Sequence, residues 1–195
     1  MKQLENVLPA CPDGRSPHEL RVGLVALPWS RADRPSPAIA ALSAYVRLKR
    51  PQVRLKAHFE FLRTADVLGR DLYHLVAADC YLMGELLLTP LIYPERASAV
   101  REEFEAWVTE KIDSGELPSD LAIGKDLYAS VQETLSDHLD QLAMELASFD
   151  VVGLTTCFGQ LFGHVVLANR LQRVAPRIKV VLGGDRVERV EFNVV

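Results

Sequence analysis

With 195 residues, 49% of them apolar, the chain is long enough for one domain with a full hydrophobic core. A net charge of -4 argues against a nucleic-acid interface, which needs a basic face. The three cysteines, Cys11, Cys80 and Cys157, have neither disulfide-framework nor metal-ligand spacing, and so point to a reducing compartment.

The first residues, Met1 to Asn6, lack the apolar core of a signal peptide, and the longest apolar runs fall far short of a membrane span. A cytoplasmic chain with neither a membrane nor a nucleic-acid partner is expected. Residues 1–18 carry Pro9, Pro12, Gly14, Ser16 and Pro17 and read as a poorly ordered leader. The folded domain is expected over 19–195.

The run 21–27 is apolar on both faces and ends at Pro28, which suits a central parallel strand. A polar loop with two prolines and Trp29 follows. Ser36 is placed to cap a helix over 37–50, with Pro37 at its first position and Pro51 beyond its end. Residues 53–61 alternate, with Val53, Leu55, Ala57, Phe59 and Phe61 on one face of a second strand. The stretch 65–147 reads as a helical insertion, with helices near 65–77, 79–88, 95–113 and 126–147. These periodic runs exceed ordinary strand lengths. A third strand over 149–156, a helix over 162–174 and a fourth strand over 179–184 complete the series.

Strands alternating with helices imply right-handed crossovers and a parallel sheet. The fold class expected is therefore α/β, an open, doubly wound parallel sheet with a helical insertion. Ligands of such sheets bind outside the carboxyl ends of the strands, at a topological switch point. Here that rim comprises the loops 28–36, 155–160 and 183–186. Trp29 offers a wall for a flat ligand and Arg31 or Arg34 an anion contact; a packed Trp with a local pair to Asp33 is the alternative. Thr155 and Thr156 put hydroxyls before a helix N-terminus, where they suit phosphate or amide groups or simply cap the helix. Cys157 reads as a small buried hydrophobe rather than a nucleophile, since no histidine is near it in sequence. Gly183 and Gly184 allow close approach of a ligand or a tight turn. Dinucleotide and P-loop fingerprints are missing, and the scattered histidines assign neither a metal site nor a catalytic residue. Tyr73, Tyr81 and Trp107 read as core, and Asp137, Asp140 and Glu145 as a solvated helix face.

Two segments carry a resemblance. One is Val22-Gly-Leu-Val-Ala-Leu-Pro-Trp29 with Asp33-Arg-Pro-Ser36. The other is Asp150-Val-Val-Gly-Leu-Thr-Thr-Cys-Phe158 with Leu167-Ala-Asn-Arg-Leu171, Pro176 and Lys179-Val-Val-Leu-Gly-Gly184. Over about residues 20 to 186 the chain resembles the N-terminal cobalamin-binding domain of cobalamin-dependent radical S-adenosylmethionine C-methyltransferases that mature ribosomally made peptides. The resemblance implies a flavodoxin-like, cobalamin-binding sheet with cofactor contacts at Pro28, Trp29, Arg34, Pro35, Ser36, Gly153, Thr155, Thr156, Phe158, Gly183 and Gly184. The family's C-x-x-x-C-x-x-C cluster motif and the D-x-H-x-x-G motif of other cobalamin domains are absent from this sequence. S-adenosylmethionine and the iron–sulfur cluster would therefore belong to a full-length parent or a separate radical core chain. A peptide is the implied substrate, and this chain, incomplete at its C-terminus, is expected to lack methyl transfer. The alternative is a non-catalytic flavodoxin-like module that binds a partner or another ligand.

Overall fold

The computed structural model describes residues 20–34, 36–79, 81–122, 126–156 and 159–184. The expected leader, and the positions of Cys11, Pro35, Cys80, Cys157 and Phe158, lie outside them. Four strands and seven α-helices are present among the described residues. The strands are β1 (Arg21–Ala26), β2 (Arg54–Phe59), β3 (Val151–Thr156) and β4 (Lys179–Gly184). The helices are α1 (Pro37–Lys49), α2 (Glu60–Leu68), α3 (Arg70–Asp79), α4 (Tyr81–Leu88), α5 (Ala97–Asp113), α6 (Leu127–Leu146) and α7 (Leu161–Val174).

The strands form one sheet in the order β2-β1-β3-β4, and every pairing is parallel. The order reverses direction between β1 and β3. Right-handed crossovers then put α1 and α7 on opposite faces, consistent with a doubly wound α/β fold. The apolar run of β1 is explained by its central position: Val25 and Ala26 are buried, and Val25 pairs with His58 on one side and Leu154 on the other. Gly23 is needed for the layer behind the sheet. A Cβ there would stand 3.0 Å from Leu146 at the end of α6. α6 buries Val131, Leu135, Leu139, Leu142 and Leu146, a stripe at helical spacing that α7 meets with Leu167 and Leu171. Each such leucine contributes about 2 kcal/mol of burial. Arg170 of α7 hydrogen-bonds the Ser136 backbone and pairs with Asp140 at 3.1 Å, which pins the two helices in register.

The caps follow the sequence. The Ser36 hydroxyl accepts the Ile39 N–H at 3.4 Å with Pro37 next in line, and Asp126 accepts the Ala129 N–H at 2.9 Å. Several boundaries differ, among them the starts of β3 at Val151 and α4 at Tyr81. β2 ends at Phe59, and Glu60 and Phe61 already belong to α2. Phe61 is buried, and the alternating phase of the strand carried into the helix concealed the change. The helix expected over 65–77 is two helices parted by Gly69, whose φ of 84° ends α2. Pro94–Arg96 form a 3-10 turn, so α5 begins at Ala97 rather than at residue 95.

Candidate functional site

Parallel pairing brings the carboxyl ends of β1, β3 and β4 to one end of the sheet, and residues 185 and 186 of the expected rim lie outside the described residues. The crevice between β1 and β3 is the topological switch point. Trp29 lies beside it, in the loop that leaves β1. Its backbone has a φ of 74°, in the left-handed region that a bulky residue rarely occupies, and its side chain is 3% exposed. Tyr73 of α3 holds it there. The rings stack with centroids 5.4 Å apart, the Trp29 N–H donates to the Tyr73 hydroxyl at 2.9 Å, and that hydroxyl donates to the Ser30 carbonyl at 2.6 Å. Burial pushes the Tyr73 phenol well above its ordinary value. The phenol is therefore a permanent donor at any physiological pH.

Gln160, just ahead of α7, ties the β3 side to the β1 side. Its amide nitrogen donates to the Leu27 carbonyl at 2.6 Å, the Pro28 carbonyl at 3.2 Å and the Ser30 hydroxyl at 2.8 Å. Two carbonyl acceptors fix which amide atom is the nitrogen. Thr155 adds a second tie, its hydroxyl donating to the Val25 carbonyl at 3.2 Å.

The helical insertion closes the same end. Gly84 of α4 lies against the indole, so near that a Cβ would fall 2.7 Å from Trp29 Cδ1 and 3.1 Å from Nε1. Glu85, the next residue, sends its carboxylate to the first turn of α7. Oε1 accepts the Leu161 N–H at 2.7 Å and Oε2 the Phe162 N–H at 2.8 Å. These are amides that no intrahelical carbonyl can satisfy, at the positive end of the helix dipole. The Trp29 indole N–H, by contrast, is buried with no hydrogen-bond partner among the described residues.

The expected site residues therefore separate. Pro28, Trp29 and Thr155 lie at the switch-point end of the sheet, Pro28 held by Gln160, Trp29 by Tyr73 and Thr155 by the Val25 carbonyl. Gly153 and Gly183 sit on the sheet face that Thr155 shares, and Gly183 pairs with Thr155. Gly153 is shaped by Leu24, whose Cδ2 would be 2.8 Å from a Cβ. Thr156 and Gly184 close the β3–β4 ladder. Ser36 is committed to capping α1. Arg34 is exposed and flanks Asp33 at 3.9 Å, while Arg31 makes a two-point contact with Asp33 at 3.0 and 2.8 Å. That contact is the local pair that the sequence left open. It holds the Asp33 carboxyl below its usual value. Pro35 and Phe158 are outside the described residues. Gly84, Glu85, Tyr73 and Gln160 were not expected as site residues. The one sequence signal was a lone carboxylate, Glu85, inside the apolar run of α4.

A second concavity of about 590 Å3 lies on the outer side of α4, against the start of α5, lined by Leu82, Leu86, Tyr93, Arg96, Val100 and Phe162. No helix among the described residues is long and apolar enough to cross a membrane. Searches against protein-family models, curated proteins and solved structures find no match to this chain.

Proposed function

We propose that this chain is the ligand-holding α/β module of a cobalamin-dependent radical S-adenosylmethionine peptide C-methyltransferase, a flavodoxin-like sheet acting in the cytoplasm with a radical core supplied by a parent or separate chain. The observation that carries the coarse part of this reading is the convergence of Trp29, Thr155 and Gln160 on the β1/β3 switch point. The resemblance of the strand and loop sequences supports the identity of the cofactor.

The rim in this conformation does not admit a corrin ring. Trp29 is 3% exposed and Gln160 1%, and Gly84 is in contact with the indole. Cobalamin would need the α4 side of the crevice to move aside. The residues left to meet it would be Trp29, whose indole N–H has no partner among the described residues, and the polar edge formed by Ser30, Thr155 and Gln160. In this reading the module binds and orients the cofactor, and it lends no side chain to methyl transfer.

The open apolar concavity beside α4 favours a second reading, a non-catalytic flavodoxin-like module that docks a partner. Titration of the purified chain with hydroxocobalamin, followed by equilibrium dialysis and corrin absorbance, separates the two. Weak, saturable binding that falls several-fold in Thr155→Val and Trp29→Leu is expected. Absence of saturable binding up to millimolar corrin would overturn the cofactor reading and leave the partner reading in its place.

A further inference from the structure

We propose that α4 is an internal latch on the switch-point crevice: Glu85 occupies the first-turn amides of α7 and Gly84 seals Trp29, so that the rim opens only when Glu85 lets go. The inference rests on the reading that this crevice is the ligand site.

Three observations meet at one seam. The Glu85 carboxylate is bonded by both oxygens to a helix end, at 2.7 and 2.8 Å. A carboxylate held this way is the intramolecular equivalent of an anion bound at a helix N-terminus. The residue before it carries no side chain, and the space a Cβ would need is filled by the indole of Trp29. The indole N–H on that same edge is buried without a partner among the described residues, in a chain segment whose backbone is held at a φ of 74°. Strained backbone and an unsatisfied buried donor persist where surrounding contacts enforce them, and they gather at sites that change state. The enforcing contacts are Tyr73 from α3 and Gly84 from α4. α4 is itself tethered behind, since Gln132 of α6 donates to the Leu87 carbonyl at 2.7 Å. Release of Glu85 therefore swings the Gly84 end of α4 about its Leu87 end. That bares the indole, its N–H and the Leu161 and Phe162 amides together.

The latch lowers the apparent affinity of any crevice ligand by the fraction of molecules that are open. Loss of a two-point charge-assisted contact raises that fraction by about tenfold or more.

The test uses the full chain with Trp107→Phe, which leaves Trp29 as the sole tryptophan. Glu85→Ala and Glu85→Gln are compared with Glu85 in that background, their melting curves checked by circular dichroism. Glu85→Gln keeps the side-chain size should Glu85→Ala fail to fold. Acrylamide quenching of Trp29 and hydrogen exchange at the Leu161 and Phe162 amides should both rise, in the order Ala above Gln above Glu. Hydroxocobalamin affinity should rise about tenfold in the Ala variant. Unchanged quenching and exchange in both variants would overturn the latch. So would faster opening joined to cobalamin affinity equal to that of the parent chain. If opening rises and neither chain binds cobalamin, the latch stands and the cofactor reading falls.

Discussion

Tyr73 completes Trp29: one hydroxyl accepts the Trp29 backbone N–H at 2.9 Å and donates a hydrogen bond to the Ser30 carbonyl at 2.6 Å, while the two rings stack. Two backbone groups of a strained loop are thus satisfied by a single atom from a different helix. Tyr73→Phe preserves the stack and strands both groups. It should destabilise the chain by about 1–3 kcal/mol in urea unfolding. A loss below about 0.5 kcal/mol would mean that the loop finds other partners at no cost.

Gly84→Ala sets two effects against each other. Alanine is the better helix former by about 1 kcal/mol. Its methyl group would meet Trp29 Cδ1 at 2.7 Å, and overpacking of this kind costs about 1–3 kcal/mol. The indole ring is stacked on Tyr73 and cannot retreat freely, so the clash should win. Net destabilisation with a shifted Trp29 emission is expected, and a variant more stable than the parent would contradict the packing described.

The Gln160 amide is shared by the Leu27 and Pro28 carbonyls. Gln160→Glu replaces the donor by an acceptor facing those carbonyls, in a buried site. It should cost more than Gln160→Leu at pH 7.5, by about 1–3 kcal/mol, because the charge is buried without a partner. Lowering the pH to about 5 should narrow the gap as the new carboxyl protonates. Chemical denaturation at the two pH values reads this directly.

His164, in the first turn of α7, is buried, and neither ring nitrogen has a hydrogen-bond partner among the described residues. Burial pushes its pKa from 6.5 down to about 4. A depressed histidine gives stability that is complete above the unfolded value and lost as the pH falls from 6.5 to about 4. The loss amounts to about 3 kcal/mol. Burial moves His58 and His138 in the same direction. Glu60, buried beside His58, is raised, so its contribution has the opposite sign: it is present at low pH and lost as the pH climbs above 4.5. His164→Leu should therefore flatten the acid limb of a stability–pH curve measured between pH 7 and 4. An unaltered slope would show that His164 keeps its neutral form at no cost to the fold.

The sheet was legible because β1, β3 and β4 are short apolar runs and β2 alternates, each at a strand's period. The parallel arrangement followed from the helices between them. The boundary at Phe59–Glu60 was not, because Phe61 fits both the strand's alternation and the helix's buried stripe. Gly69 hides for a similar reason: the apolar spacing of α3 resumes at once. In the crevice, the position of Trp29 and Thr155 at strand ends was readable, but their burial was not. It depends on Gly84 and Glu85, which reach Trp29 and α7 only through the packing of the insertion. A carboxylate among leucines reads in sequence as an exposed helix position, and nothing local tells that its partner is the start of a helix far downstream.

The passage from β2 to α2 has a mechanical consequence. No loop residue separates Phe59 from Glu60, so the start of α2 is fixed directly to the sheet. Arg63 on the first turns of α2 also pairs with Glu145 of α6 at 3.2 Å. Bending of the insertion must then be taken up after Gly69, where the left-handed backbone meets no neighbouring atom within 4 Å of a Cβ position. Gly69 in this way divides the start of the insertion into a helix joined directly to β2 and the two helices, α3 and α4, that carry Tyr73 and Glu85.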